Sequence, residues 1–296
     1  MGLPHFEYHE PDSVAEACRT LSALNGEAVL LSGGTDMLVK MKSREIRPRH
    51  IVSLLEIQGM DQIDFSGKNI SIGACCTASR ISGSSKIRTI FPALAAAAGQ
   101  IGSPAVRNLG TIGGNAVTAS PAADLPPALI AYGANVRLRR EGRERALPLE
   151  QFFKGPGTTH IKHDEILVDF SLEHPPAGSA AEFFKIGHRR ALQCSTVNGA
   201  CYIFINPNSD EIEDARIVLG AVGPTVVRAF SAEKVLIGQK PASALFHRAG
   251  EAAASECSPI DDLRGSAGYR RDMIRVLTSR ALLEASKKIG NGSVRK

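Results

Sequence analysis

A chain of 296 residues can build one large domain or two to three smaller units, and its 43% hydrophobic and 22% charged residues are ordinary for a globular fold. A formal charge of +5 is too mild to argue for nucleic acid, and 5% aromatics with no tryptophan disfavour a stacking platform for single strands. The six cysteines (Cys18, Cys75, Cys76, Cys194, Cys201 and Cys257) contain no C-x-x-C pair, so they read as buried cytosolic thiols rather than disulfides, a zinc site or an iron–sulfur site.

The first ten residues lack the charged, apolar and small-residue regions of an export signal, and Phe6 stands where a myristoylation pattern needs Ser or Thr. No apolar run approaches membrane-spanning length, so a cytoplasmic location is expected. Ser13-x-x-Glu16 reads as a capping box opening a helix with apolar positions Val14, Ala17, Cys18, Leu21 and Leu24, ended by Gly26. A strand follows over 28–31. Gly33-Gly34 breaks it, and Thr35 and Asp36 are natural N-caps for an amphipathic turn over 37–42.

Further strands are expected over 50–54, 70–74, 136–140 and 165–172, with helices over 92–100 and 124–132. Arg137, Arg139, Arg140, Arg143 and Arg145 alternate with Glu141 and Glu144 as a solvated strand pair and turn. Pro175-Pro176 marks a boundary. Beyond it come strands over 183–186, 196–205 and 212–222, the last two joined as a hairpin through 206–210, then helices over 232–237, 242–255 and 269–288. Meandering strands ahead of helices point to α+β with an antiparallel sheet rather than one doubly wound sheet.

Two elements stand out chemically. In Val29-Leu-Leu-Ser-Gly-Gly-Thr-Asp36, a strand ends in a Gly-Gly turn at a helix start, which gathers unpaired N–H groups as phosphate sites do. It is neither the G-x-G-x-x-G fingerprint nor a Walker loop. Residues 107–127, read as turn-rich, contain Gly110, Gly113, Gly114, small hydroxyl residues and the carboxylate Asp124. Each element alone is as well read as a plain turn; together they suit a ligand with two phosphates.

No Gly-x-Ser-x-Gly or His-Glu-x-x-His is present. His160 and His163 read as solvent-facing, so no catalytic residue and no metal ligand are assigned. Cys75-Cys76 reads as an inert buried pair. Lys185 lies inside the apolar strand Phe183-Phe184-Lys-Ile; an anionic or electron-rich partner and an edge lysine reaching water are both open readings.

With Leu-Ser-Gly-Gly-Thr-Asp (31–36), Arg-Asn-Leu-Gly-Thr-Ile-Gly-Gly-Asn (107–115), Ser-Pro-Ala-Ala-Asp-Leu-Pro-Pro (120–127), Asp-Glu-Ile-Leu (164–167) and Phe-Lys-x-x-x-Arg-Arg (184–190) in this order, the chain resembles the FAD-binding subunit of the molybdenum hydroxylases over essentially its whole length. That group includes xanthine dehydrogenase, carbon monoxide dehydrogenase and nicotinate or quinoline oxidoreductases. The resemblance implies an α+β FAD-binding fold of the PCMH type. Residues 1–175 would be the FAD-binding domain, in subdomains 1–60 (α/β) and 61–175 (mixed), and 176–296 a C-terminal domain of antiparallel sheet with helices.

It also implies that the FAD pyrophosphate is lined by Val29, Leu30, Leu31, Ser32, Gly33, Gly34, Thr35 and Asp36, and by Gly110, Thr111, Ile112, Gly113, Gly114 and Asn115. Asp124 would bond the ribose or adenine end, Leu167 would pack on the flavin system, Lys185 would sit near the isoalloxazine and Cys194 near its face. A cation at that ring edge stabilises the anionic reduced flavin. The partners implied are a small subunit with two [2Fe–2S] clusters and a molybdopterin large subunit, assembled as a dimer of heterotrimers, with NAD⁺ or another acceptor taking the electrons.

The four-cysteine insertion of 4-hydroxybenzoyl-CoA reductase is missing. Ala191-Leu-Gln follows Arg189-Arg190 where xanthine dehydrogenases often carry acidic residues, which weakens NAD⁺ as acceptor. The overall pattern is still most like the xanthine dehydrogenase type. Alternatives are the flavin subunit of a carbon monoxide or N-heterocycle dehydrogenase, a stand-alone flavin oxidase, or an assembly protein that keeps the fold without catalysis.

Overall fold

The computed structural model describes residues 2–187 and 194–292. In chain order the first elements are β1 (Glu7–His9), α1 (Val14–Leu24), β2 (Ala28–Leu31), α2 (Met37–Lys42), β3 (His50–Ser53), β4 (Ile63–Asp64), β5 (Asn69–Gly73), α3 (Ala78–Gly83), α4 (Ser85–Ile90), α5 (Pro92–Gly99), α6 (Pro104–Leu109), α7 (Ile112–Val117) and α8 (Leu125–Ala131). They continue with β6 (Asn135–Arg140), β7 (Arg143–Pro148), β8 (Phe153–Gly155), β9 (Thr158–Thr159), β10 (Ile166–Glu173), β11 (Ser179–Ile186), β12 (Val197–Ile205), β13 (Ile212–Gly220), β14 (Val227–Arg228), α9 (Phe230–Leu236), α10 (Ser243–Ser255) and α11 (Ala267–Gly292). The chain divides into one unit of residues 1–80, 104–119 and 134–173, and a second of 81–103, 120–133 and 174–296. Among the described residues no helix is long and apolar enough to cross a membrane.

The first unit holds a parallel sheet in the order β1-β3-β2. α1 buries its stripe of Ala17, Cys18 and Leu21. Ser13 Oγ accepts from Glu16 N–H (3.3 Å), and Glu16 Oε2 accepts from Asp12 N–H (2.8 Å), so the capping box closes one residue before the cap. The helix ends at Asn25 in the left-handed region, one residue ahead of the expected Gly26.

An antiparallel sheet in the order β4-β5-β10-β6-β7 completes this unit together with the small β8–β9 hairpin. The arginine-rich segment is the β6–β7 hairpin, as expected, and several of its arginines are ion-paired rather than merely solvated. Arg137 pairs with Asp169, Arg140 with Asp164 (3.1 Å), and Arg145 grips Glu165 through two bonds of 2.7 and 2.8 Å. Burial opposes charge on Glu165, but Arg145 and the Lys162 N–H outweigh it and hold its carboxyl below the usual range. Asp164 and Glu165 therefore clamp the sheet.

In the second unit β11-β12-β13-β14 form an antiparallel sheet, its β12–β13 hairpin turning through 206–210 as expected. One face, with Phe184, Val197, Cys201, Ile203, Ile217 and Leu219, makes the core with residues of α9, α10 and α11. The other meets α8 and its C-cap: Arg216 Nη1 donates to the Ala131 carbonyl (3.2 Å), and the Tyr132 ring sits edge-on to Tyr202 (6.2 Å). Strands covered on both faces read as nearly continuous apolar runs, which is why β12 shows no clean alternation.

The segment expected to be turn-rich, 107–127, is largely helical. Thr111 caps α7 through its hydroxyl, and the prolines of α8 lie in its first turn, where a missing N–H goes unused. Asp36 occupies the N-cap of α2 without making a side-chain cap bond.

Gly250 of α10 lies so close to α11 that a β-carbon would collide with the Arg275 carbonyl and the Ser279 hydroxyl. Helix propensity alone makes Gly250→Ala stabilising by about 0.5–1 kcal/mol, whereas forcing extra volume into a packed contact costs about 1–3 kcal/mol. The packing term dominates, so urea unfolding should show Gly250→Ala less stable than the parent chain; a gain in stability would contradict the helix contact.

Candidate cofactor site

The two glycine elements lie against each other in the first unit. A β-carbon on Gly33 would collide with the Leu109 carbonyl oxygen, so the residue must be glycine for the loops to meet at all. Gly34 follows at φ +68°, in the left-handed region. Ser32 Oγ donates to Thr111 Oγ1 (3.1 Å), and Thr118 Oγ1 donates to Asp36 Oδ2 (3.3 Å), which is where the carboxylate expected to cap α2 is engaged. The glycine at 33 thus serves first the approach of one backbone to another.

The amides divide unequally. Among the described residues, the N–H groups of Gly33, Gly34, Thr35 and Asp36 have no acceptor. Four adjacent donors ahead of α2 make a concave set able to receive an anion. In the second loop the N–H groups of Gly110, Ile112, Gly113 and Asn115 donate to the carbonyls of Val106 (2.6 Å), Cys76 (2.9 Å), Ala74 (2.8 Å) and Thr111 (2.9 Å). Gly114 N–H donates to Thr111 Oγ1 (3.1 Å). What this loop has to offer a ligand is a side chain: Asn115 Oδ1 is buried and has no partner. An amide end presents a donor or an acceptor after a half turn, so it can serve either need.

These residues fit a diphosphate: free amides from one loop, an unpartnered amide side chain from the other, and hydroxyls linking the two. Val29, Leu30 and Leu31 form β2 and deliver the turn; Ile112 is buried in α7. Leu167 is buried in β10 opposite Leu138, next to a bulge before Asp169. Cys75 and Cys76 are also buried, and desolvation pushes their thiols up, Cys76 to about 12, so both stay protonated at neutral pH.

A second constellation is built within the second unit. Lys185 and Asn198 are cross-strand neighbours of β11 and β12 and therefore share a face. Asp124, at the N-cap of α8, makes no cap bond. Its Oδ2 instead accepts from Lys185 Nζ (2.5 Å), and its Oδ1 accepts from Ser195 Oγ (2.7 Å) and Asn198 Nδ2 (2.8 Å). Lys185 Nζ also donates to the Gln100 carbonyl (3.0 Å), and its side chain is 0% exposed.

This resolves the two readings of Lys185. It is no edge lysine reaching water; it is a buried cation whose anionic partner is Asp124. That carboxylate already receives three donors, leaving roughly one of its four lone-pair positions for any ligand. Ser195 and Asn198 escaped sequence reasoning, although a polar residue inside the apolar Val197–Ile205 strand was a usable signal. Cys194 is exposed. Arg189, Arg190 and Ala191-Leu-Gln, which bear on the acceptor, lie outside the described residues.

Removing one partner of a buried ion pair strands the other charge. Asp124→Ala should cost about 3–5 kcal/mol, and combining it with Lys185→Met should restore much of that loss. Denaturant melts of the singles and the double check this; additive losses would show that the pair is not a coupled unit.

Two family models match the chain: the FAD binding domain in molybdopterin dehydrogenase over residues 4–174, and the CO dehydrogenase flavoprotein C-terminal domain over 182–285. The carbon monoxide dehydrogenase medium chain of Hydrogenophaga pseudoflava is 31% identical over 279 residues, covering 94% of this chain and 96% of the relative. The xanthine dehydrogenase FAD-binding subunit of Escherichia coli O157:H7 is likewise 31% identical, over 285 residues, covering 94% and 95%. Among solved structures, carbon monoxide dehydrogenase from H. pseudoflava superposes with a TM-score of 0.90 at 33% identity, covering 98% of this chain and 99% of that one. Quinoline 2-oxidoreductase from Pseudomonas putida 86 gives 0.90 at 26%, covering 98% and 99%. With both domain models matched in sequence and an α+β architecture shared with these structures, the chain belongs to the family of FAD-binding subunits of the molybdenum hydroxylases.

Proposed function

We propose that this chain is the electron-transferring flavin subunit of a multi-subunit molybdenum hydroxylase, taking electrons from a partner carrying [2Fe–2S] clusters and passing them through FAD to NAD⁺ or another acceptor. The observation that carries this reading is the meeting of the two Gly-Gly elements, with four adjacent free amides from Gly33 to Asp36. The medium-chain names of its relatives support a middle-sized subunit of a larger complex. The family resemblance assigns it a [2Fe–2S] small subunit and a molybdopterin large subunit as partners, in a dimer of heterotrimers.

Bound FAD supplies a carrier that accepts electrons from a one-electron donor and releases them as a pair. The chain's own residues do the holding. The amides of Gly33, Gly34, Thr35 and Asp36 receive diphosphate oxygens, with Thr111, Asn115 and the hydroxyl of Ser32 beside them. Leu167 supplies apolar packing for the ring system. Lys185 is assigned to the isoalloxazine and Cys194 to its face; Asp124, bonded to the Lys185 ammonium at 2.5 Å, fixes that cation in position and so belongs to the same end of the cofactor rather than to its ribose or adenine end.

The hydroxylated substrate belongs to the large partner. The xanthine-type reading rests on the motif pattern; identities of 31% to both a carbon monoxide and a xanthine dehydrogenase subunit support the reaction class and favour neither substrate. Residues 1–175 as the FAD-binding domain and 176–296 as the C-terminal domain, within the cytoplasm, complete the proposal.

The purified full-length chain should be yellow or become so with added FAD. Asn115→Ala should weaken FAD binding roughly two- to tenfold, the value of one hydrogen bond, while leaving the far-ultraviolet circular dichroism unchanged. A colourless chain that ignores FAD would overturn the proposal, and assays of the intact complex with NAD⁺ and artificial acceptors decide the electron outlet.

A further inference from the structure

We infer that Glu7, His9 and His50 form a divalent transition-metal site, suited above all to zinc, that clips the N-terminal strand to the parallel sheet. The inference is independent of the flavin reading, because none of the three is among the cofactor residues. Neither the cysteines nor His160 and His163 form a metal-binding motif in the sequence. The spacing between residues 9 and 50 hides this cluster until the strands pair.

β1 is a three-residue edge strand whose parallel pairing with β3 sets Glu7 opposite His50 and His9 opposite Val52. Side chains two apart on a strand share a face, so Glu7 and His9 project to the same side, and His50 meets them from the neighbouring strand. His9 Nε2 lies 3.2 Å from His50 Nδ1, and Glu7 Oε2 lies 3.4 Å from the same nitrogen. All three donor atoms fall within 4.8 Å of one another.

That spacing suits metal coordination as well as it suits hydrogen bonding. Bonds of about 2.0–2.1 Å at tetrahedral angles put neighbouring ligand atoms about 3.3–3.4 Å apart, close to both short separations here. Two imidazoles and one carboxylate are a donor set that zinc accepts, with a fourth position left to water. Both histidines are half-buried, the His50 side chain at 16% exposure, which limits their rotation; Glu7, 75% exposed, is free to close on an ion.

A metal bound by the folded strand and not by the unfolded chain stabilises the fold by mass action. Metal-free full-length protein, titrated with zinc against a chromophoric chelator, should bind one equivalent through this cluster, and its thermal midpoint should rise with zinc. His9→Ala and His50→Ala should each weaken that equivalent roughly tenfold or more and abolish the thermal shift, with FAD binding unchanged in His9→Ala. Glu7→Gln, which removes the exposed ligand, should have a smaller effect. Absence of a bound equivalent would overturn the site, as would zinc binding that survives His9→Ala; that variant lies on an edge strand and decides the matter if His50→Ala fails to fold.

Discussion

The candidate site depends on one contact of backbone with backbone. The Leu109 carbonyl oxygen stands where a β-carbon of Gly33 would lie, and the glycine lets the turn after β2 lie directly against the turn before α7. The second loop is in turn pinned by the chain leaving β5, which takes up the N–H groups of Ile112 and Gly113. Its amides are otherwise engaged within its own turn and helix, that of Thr111 excepted. The first loop, held in place by its neighbour, is left with its amides free, so a rigid partner supports a loop whose donors remain available. Glycine in such a site is usually explained by closeness to a ligand; at position 33 it is closeness to protein that forbids a side chain.

The second unit solves a different problem. A lysine ammonium with no exposed surface is tolerable only with full compensation, and Lys185 has it from Asp124 and the Gln100 carbonyl. Ser195 and Asn198 hold the other carboxylate oxygen, so Asp124 is fixed from both sides. Such a network sets the position and charge of its members tightly, because each group would be left unpaired by any displacement. Specific placement of a cation, rather than net stability, is what this arrangement provides.

Much of this was legible in the sequence. The helical spacing and N-terminal cap of α1, the Gly-Gly break after β2 and the hairpin through 206–210 all follow from local chemistry, and the five ordered motifs identify the family. What was not legible depended on pairing over long distances. The helix α7 hides among glycines because its stability comes from the Thr111 cap and from anchoring to Ala74 and Cys76, not from propensity. The partner of Lys185 lies 61 residues away in sequence, and the Glu7, His9 and His50 cluster exists only through the parallel register of β1 with β3. Residue type suggested that each of the first two needed an explanation; only the fold supplied it.

The central claim is that the amides of Gly33 to Asp36 receive the diphosphate of FAD. Amide hydrogen exchange of the full-length chain with and without FAD tests it most directly, since free N–H groups exchange quickly and bonded ones slowly. Diphosphate binding there predicts slowed exchange across 33–36 and at Thr111, whose N–H also has no acceptor among the described residues, with little change at the already bonded Gly113 and Asn115. Protection confined to other segments, with 33–36 exchanging as fast as in the FAD-free chain, would contradict it.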